Sequence, residues 1–314
     1  MESTTDFQSV KSVKNNQNHI HYQQCPLCKS TDIAYSLSAK DYTVSKECFE
    51  VWECNQCNVR FTQDIPDAAH IGPYYQSNAH VSHSDTQEGI INKIYHIVRN
   101  FTLQSKRKLV EKYTGLSNGN LLDVGAGTGA FAAAMKQNGW NVTGLEPDAT
   151  ARENAQEKHQ LTLIDPQELY SLPTAHFDAI TMWHVLEHVH DLHGYLETYQ
   201  RILKPGGSLV IAVPNYTSLD AEKYKETWAA YDVPRHLYHF SPKSLRLLAS
   251  QKGFTVKAYQ PMWFDSFYVA MLSEQYLTGK NNLIKAVWNG FLSNLNSITD
   301  AKNCSSVIYI IQKN

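Results

Sequence analysis

Six cysteines, fourteen histidines and one glycine-rich loop hold most of the chemistry available to this 314-residue chain. Four of the cysteines fall into two tight pairs, Cys25-x2-Cys28 and Cys54-x2-Cys57, while Cys48 and Cys304 stand alone. Two such knuckles put four thiolates at tetrahedral reach, the pattern of a zinc ribbon. With four protein ligands and no open position, the Zn2+ would be structural, holding together a module too small for a core of its own. A second concentration is "LLDVGAGTGA", in which Gly125, Gly127 and Ala130 satisfy the relaxed dinucleotide-loop pattern. A third is the histidine-rich run "WHVLEH", and a fourth is "YDVPRHLYHFS".

Asp123 decides what the glycine loop is shaped for. It stands two residues before the first glycine, at the end of a short apolar strand, where its carboxylate points toward a bound ligand. A pyrophosphate there would meet a like charge, and two unit charges about 4 Å apart repel by roughly 4 kcal/mol at an effective dielectric near 20. A ligand carrying an ammonium would be attracted instead. S-adenosylmethionine has an α-ammonium and a sulfonium and no phosphate, so it suits the loop, and Gly127 and Gly129 let the backbone approach it closely. Glu146, closing the next strand, sits where an acid accepts both hydroxyls of an adenosine ribose; nicotinamide enzymes share that feature, so it argues for a nucleoside without choosing between the cofactors.

"LLDVGAGTGAF", "GLEP", "FDAITMWHVLEHVHD" and "LKPGGSLVIAVPN", in this order and spacing, resemble the landmarks of class I S-adenosylmethionine-dependent methyltransferases over about residues 120–260. The resemblance implies a seven-stranded Rossmann-like sheet whose last strand is antiparallel. It places Asp123, Gly125, Ala126, Gly127 and Gly129 at the methionine end of the cofactor and Glu146 at the ribose. It bounds the adenine by Pro147 and by the segment around Asp165 and Pro166. The four-cysteine module is similar to that of sugar C-methyltransferases acting on nucleotide-linked deoxysugars, and the "HVLEHV…LKPGG" run to quinone-precursor O-methyltransferases.

"HVLEH" also fits the inverted zinc-peptidase motif, but that chemistry needs a long helix and a third ligand, and here the run leaves a buried strand. In the methyltransferase reading Trp183 and His184 face the methyl group. Methyl transfer is a displacement on a cationic sulfur, so alignment supplies most of the catalysis, and a base is needed only when the acceptor holds a proton. His184, His188, Tyr231 and His236 are the candidates for that role; His188 reads equally well as a residue hydrogen-bonded in place, and His190 and His193 as solvated. Arg235 accompanies His236 in the candidate acceptor site. "GPYYQSNAHVSH" reaches the same cleft with Tyr75, His80 or His83.

The elements that position these residues follow from the patterning. Residues 1–21 are polar and expected to be disordered, 22–66 form the zinc-ribbon module, and 67–118 form a linker with one or two amphipathic helices carrying Ile90, Ile94, Ile97, Val98 and Phe101. From 119 to 314 strands alternate with helices, as in a doubly wound α/β sheet. "LTLI" is a third, weaker strand, and "DLHGYLETYQRILKPGG" a helix ended by Pro205. Two inserts, 216–240 and 264–303, interrupt the scheme. The second places Phe267, Met271, Leu272, Leu283, Val287, Phe291 and Leu292 on helices packed against the sheet edge, the alternative being a lid over a pocket. Charged residues are 18% with a formal balance of -2, which leaves no broad basic face for nucleic acid. With no long apolar run and no signal-peptide centre, a cytoplasmic protein is expected. The acceptor is expected to be a small molecule methylated at oxygen or carbon. The rival readings are a nicotinamide oxidoreductase and a non-catalytic zinc-ribbon binding module; the oligomeric state is not legible.

Overall fold

The computed structural model describes residues 18–76, 90–280 and 282–314, with side chains described from 98 onward in the helix that begins at 90. Five short strands come first: β1 (His19–Ile20), β2 (Ile33–Lys40), β3 (Cys48–Cys54), β4 (Arg60–Thr62) and β5 (Ile65–Pro66). One long helix, α1 (Ile90–Thr114), leads to the alternating region. There follow β6 (Asn120–Val124), α2 (Ala130–Gln137), β7 (Asn141–Leu145), α3 (Ala149–His159), β8 (Phe177–Trp183), α4 (Leu192–Ile202) and β9 (Leu203–Pro214). Then come α5 (Leu219–Tyr224), β10 (Tyr238–His239), α6 (Pro242–Gln251), β11 (Phe254–Pro261), α7 (Asp265–Thr278), α8 (Leu283–Thr299) and β12 (Ser306–Lys313). The described helices include none long and apolar enough to cross a membrane.

The main sheet runs β11-β12-β9-β8-β6-β7. β7, β6, β8 and β9 are parallel, and β12 enters antiparallel to both β9 and β11. This is the α/β Rossmann-like arrangement expected from the sequence, with six laddered strands. "LTLI" reaches the β7 edge at a single parallel bridge, Leu145 to Ile164, held by Ile164 N–H to Gly144 O and Glu146 N–H to Ile164 O. Asp165 and Pro166 then turn the chain into a 3-10 helix, Pro166–Ser171, so the ladder stops there.

The central strands are apolar without alternation because both faces are covered. Leu121, Ala179, Val210 and Ala212 meet Val110 of α1 and Phe131 and Met135 of α2. Their neighbours Leu122, Ile180, Leu209 and Ile211 meet Leu196 and Tyr199 of α4 and Leu248 of α6. The caps follow sequence rules: Asp148 accepts from Ala151 N–H, and Ser241 with Ser244 forms a capping box ahead of Pro242. The α4 helix ends at Ile202, three residues before Pro205. A residue preceding proline avoids the helical region, and Leu203 already pairs with Phe177 as strand.

Three features depart from expectation. The small strands form a four-stranded sheet ordered β10-β4-β3-β2, so the cysteine module shares a ladder with the 216–240 insert. His190 and His193 are not solvated; they donate from Nε2 to the carbonyls of Pro66 and Pro26, docking α4 on the module. In α8 the buried positions are Ala286, Asn289, Gly290, Ser293 and Ser297, while Leu283, Ile284, Val287, Trp288, Phe291, Leu295 and Ile298 are exposed. Leu283, Val287 and Phe291 therefore do not pack inward as expected. The reason is a polar seam: Ser293 donates to Asp220, Asn289 to Glu274 and Tyr224, and a Cβ on Gly290 would lie 2.7 Å from the Phe267 ring. Small residues let α8 lie close to α7, so its bulky side chains point away.

Candidate active site

The glycine loop leaves β6 with Gly125, Gly127 and Gly129 all in the left-handed region, φ +69°, +56° and +78°. A Cβ on Gly125 would stand 2.4 Å from Val185 Cγ2, so that glycine is required by space as well as by backbone. Ala126 N–H bonds to Leu145 O, tying the loop to β7. Glu146 is buried and accepts from Gly127 N–H at 2.7 Å and from Asp148 N–H at 3.0 Å. Burial pushes its pKa upward, against those two bonds. Pro147 O receives Arg152 Nη1, which also lies 3.8 Å from Asp165 Oδ2; Asp165 caps the turn that begins at Pro166. These groups form one rim beside the loop.

Asp123 is 1% exposed and accepts from Thr181 Oγ1 at 2.7 Å. Burial raises its pKa to about 7, with Thr181 and Lys106 opposing and Glu146 reinforcing the shift. Lys106 of α1 comes to the same place, its Nζ 4.3 Å from the centre of the Trp183 ring. Burial lowers the Lys106 pKa to about 8, while Asp123 and Asp265 partly restore it. Sequence reasoning missed Lys106, because a lysine on an amphipathic helix reads as solvated face.

His184 follows β8 with φ +58°, a conformation costly for a residue with a Cβ. Its Nε2 is 3.3 Å from Met262 Sδ and 3.7 Å from Asp265 Oδ2, and its Nδ1 is 3.4 Å from Glu187 Oε1. Burial opposes charge on His184, but Asp265 and Glu187 outweigh it and raise the pKa. Asp265, the first residue of α7, was another residue sequence reasoning missed; its approach depends on the fold of the 264–303 insert.

His188 and His236 meet edge to face, ring centres 4.6 Å apart. His188 Nδ1 is 3.0 Å from both Arg235 O and Tyr75 Oη, which bears out the approach of the 72–83 segment for Tyr75; His80 and His83 lie outside the described residues. Burial and the neighbouring His236 lower the His188 pKa to about 4. His236 Nδ1 bonds to Ala230 O at 2.8 Å. Arg235 is buried between Asp232, Asp41 and Tyr74 O, locking the insert to the cysteine module. The Tyr231 hydroxyl accepts from Arg60 Nη1 of β4 at 2.8 Å, facing that module. Of the four candidate bases, then, the structure gathers His184, His188 and His236 around Glu187 and leaves Tyr231 with Arg60.

In the cysteine module, Cys25 Sγ lies 3.6 Å from Cys57 Sγ, and Cys28 Sγ 3.5 Å from Cys54 Sγ. All four sulfurs are within 4.8 Å of one another. Thiolates 2.3 Å from a tetrahedral centre stand roughly 3.8 Å apart, so the set fits one metal ion with little movement. A hydrogen bond from Cys57 favours the thiolate of Cys25, lowering its pKa to about 5.

A family profile described as a methyltransferase domain matches residues 96–259, just over half of the chain and the whole span of the glycine loop, Glu146 and the histidine cluster. The chain belongs to this methyltransferase family. Among its curated relatives, a ubiquinone biosynthesis O-methyltransferase of Sodalis glossinidius is 35% identical over 114 residues, 34% of this chain and 46% of that protein. A demethylmenaquinone methyltransferase of Tropheryma whipplei is 31% identical over 134 residues, 41% of this chain and 56% of the relative. These matches span about half the length of the relatives. Among solved structures, a SAM-dependent methyltransferase of Archaeoglobus fulgidus is similar over 68% of this chain and 94% of its own, with 20% identity and a TM-score of 0.46.

Proposed function

We propose that this chain is an S-adenosylmethionine-dependent methyltransferase acting at oxygen or carbon of a small-molecule acceptor, with a structural Zn2+ on Cys25, Cys28, Cys54 and Cys57. The observation that carries the reading is Asp123: a carboxylate wholly buried at the mouth of a three-glycine loop, with Lys106 the cation nearby that lowers its pKa. Such a site binds an ammonium and repels a pyrophosphate. Gly125, Ala126, Gly127 and Gly129 pass the methionine chain, Glu146 takes the ribose hydroxyls, and Pro147, Asp165 and Pro166 border the adenine. Trp183 stands at the methyl end. The bound cofactor supplies the electrophilic methyl on a sulfonium.

The protein's contribution is chiefly alignment and exclusion of water around the transfer. His184, whose protonated form Asp265 and Glu187 favour against burial, orients the acceptor by hydrogen bonding; His188 and His236, each donating Nδ1–H to a backbone carbonyl, present Nε2 lone pairs able to receive an acceptor proton. Relatives named ubiquinone biosynthesis O-methyltransferase and demethylmenaquinone methyltransferase support an aromatic, oxygen-bearing acceptor.

Calorimetry with S-adenosylhomocysteine and with NADH tests the cofactor. Saturable binding of the former alone is expected; binding of NADH alone refutes the reading. Elemental analysis of protein purified without added zinc should return close to one equivalent, and less than about half an equivalent would refute the ribbon.

A further inference from the structure

Helix α8 turns its apolar side to water. Of its ten exposed positions, seven are large and apolar, the others being Lys285, Asn296 and Thr299. Those seven are 43–85% exposed and together present on the order of 700–800 Å2. The largest apolar patch of a typical monomer covers about 300–600 Å2, and one side of a stable protein–protein interface buries about 800 Å2. The face is held in place. Gly290 seats α8 closely on Phe267 of α7, and the inner hydrogen bonds, Ser293 to Asp220 and Asn289 to Glu274, would be lost if the helix rolled to bury its apolar side.

Ile284, Phe291 and Ile298 recur every seven residues, with Val287 and Leu295 between them, so the stripe has the spacing of a coiled-coil seam two heptads long. It is also symmetric end to end. Ile284 and Ile298 stand seven residues either side of Phe291, and Val287 and Leu295 four residues either side. A helix with that symmetry is complementary to itself run backwards: Ile284 meets the partner's Ile298, Val287 meets the partner's Leu295, and Phe291 meets its own copy. Lys285, the one charged residue of α8, flanks the stripe near its N-terminal end. Run antiparallel, it lies beside the partner's helix C-terminus, where a cation is favoured; run parallel, it would face another lysine.

We propose that a second copy of this chain covers the stripe, the two α8 helices packing antiparallel about a two-fold axis at Phe291. The contact uses the same patch on both chains, so assembly closes at two. A helix built to lie in a membrane surface carries many Lys and Arg on its polar face, whereas α8 has a single lysine and its polar face is seated on α7. The pairing does not depend on the methyltransferase reading.

Sedimentation equilibrium of the full chain across the micromolar range is expected to give twice the 35.6 kDa of one chain. Ile284→Lys, at a position 85% exposed in the single chain, should weaken self-association at least tenfold. Cross-linking reads the register and keeps the proposal testable should that variant fail to fold. In a Cys48→Ser background, which removes the exposed native thiol, Phe291→Cys should form a disulfide-linked dimer under mild oxidation much faster than Asn296→Cys, which lies off the stripe. A monomer across the whole range, association unchanged in Ile284→Lys, faster linking at position 296, or growth beyond two chains overturns the proposal. A monomeric wild-type chain that sediments with phosphatidylcholine–phosphatidylglycerol vesicles also overturns it, and assigns the face to a lipid surface.

Discussion

Cofactor affinity should depend on pH through Asp123, and the dependence can be worked from its surroundings. Burial raises its pKa to about 7, so near neutrality about half of the molecules hold a neutral carboxyl at the place where an ammonium must bind. Binding of the ammonium requires the ionised form, and the apparent dissociation constant grows as the ionised fraction falls. Relative to pH 8, S-adenosylhomocysteine should bind about tenfold more weakly at pH 6 and about a hundredfold more weakly at pH 5, following 1.36 kcal/mol per pH unit. The other titrating groups that face Asp123 are Lys106 and Glu146. Burial lowers the Lys106 pKa to about 8, so it goes from about half charged at pH 8 to almost fully charged at pH 7, a change of at most about twofold, and cannot produce the slope from pH 7 to 5. Glu146, also raised by burial, contributes only as its own carboxylate protonates, and Asp123→Asn separates the two by removing the Asp123 component. The fold alone gives the opposite sign. The unfolded chain releases this proton near pH 4 and the fold, with Lys106 in place, near 7, so without bound cofactor the fold loses stability as pH rises between those values, by about 4 kcal/mol at most. Asp123→Asn should therefore raise the melting midpoint at pH 8 while weakening cofactor binding. Calorimetry in two buffers of different ionisation enthalpy would show net proton release on binding at pH 6. A flat affinity profile from pH 8 to 5, or an unchanged profile in Asp123→Asn, would refute the reasoning.

Three further outcomes follow from the packing. Gly125→Ala should abolish cofactor binding and destabilise the fold, since its Cβ meets Val185 at 2.4 Å, whereas Gly127→Ala, with nothing within 4 Å, should cost only the about 1–2 kcal/mol of left-handed backbone; urea denaturation of the two distinguishes them. Arg235→Ala leaves Asp41 buried without its cation and should cost about 3–5 kcal/mol, read in the same denaturation; a cost below about 1 kcal/mol would contradict the ion-pair account. Ile284→Lys, at a position 85% exposed, should change the stability of the single chain by less than about 0.5 kcal/mol, while Gly290→Ala should lower the melting midpoint by several degrees because α7 and α8 must separate.

The core of the fold was readable because its signals are local. Continuous apolar runs such as Leu209 to Val213 are strands covered on both faces, and Asp148, Ser241 and Pro242 mark helix starts by their own side chains. The cysteine spacing and the acid ahead of the glycine loop likewise depend on few residues. What escaped depends on distant partners. Lys106 approaches Asp123 only because α1 lies across the sheet, and Asp265 reaches His184 only through the path of the 264–303 insert. Apolar periodicity in α8 was real, but periodicity does not say which face turns inward, and there the hydrogen bonds of Ser293 and Asn289 decided it. His190 and His193 looked solvated because the carbonyls they bind belong to residues far back in the chain.

The pairing of β10 with β4 has a practical consequence for anyone trimming the protein. Tyr238 and His239 ladder against Phe61 and Arg60, and Thr62 Oγ1 donates to His236 O 174 positions away, so the backbone that carries a candidate base is partly scaffolded by residues far upstream. A fragment cut to the profile-matched portion would keep the cofactor loop and yet lose the brace behind His236. Loss of turnover in such a fragment would then report missing support and not a missing reactive group.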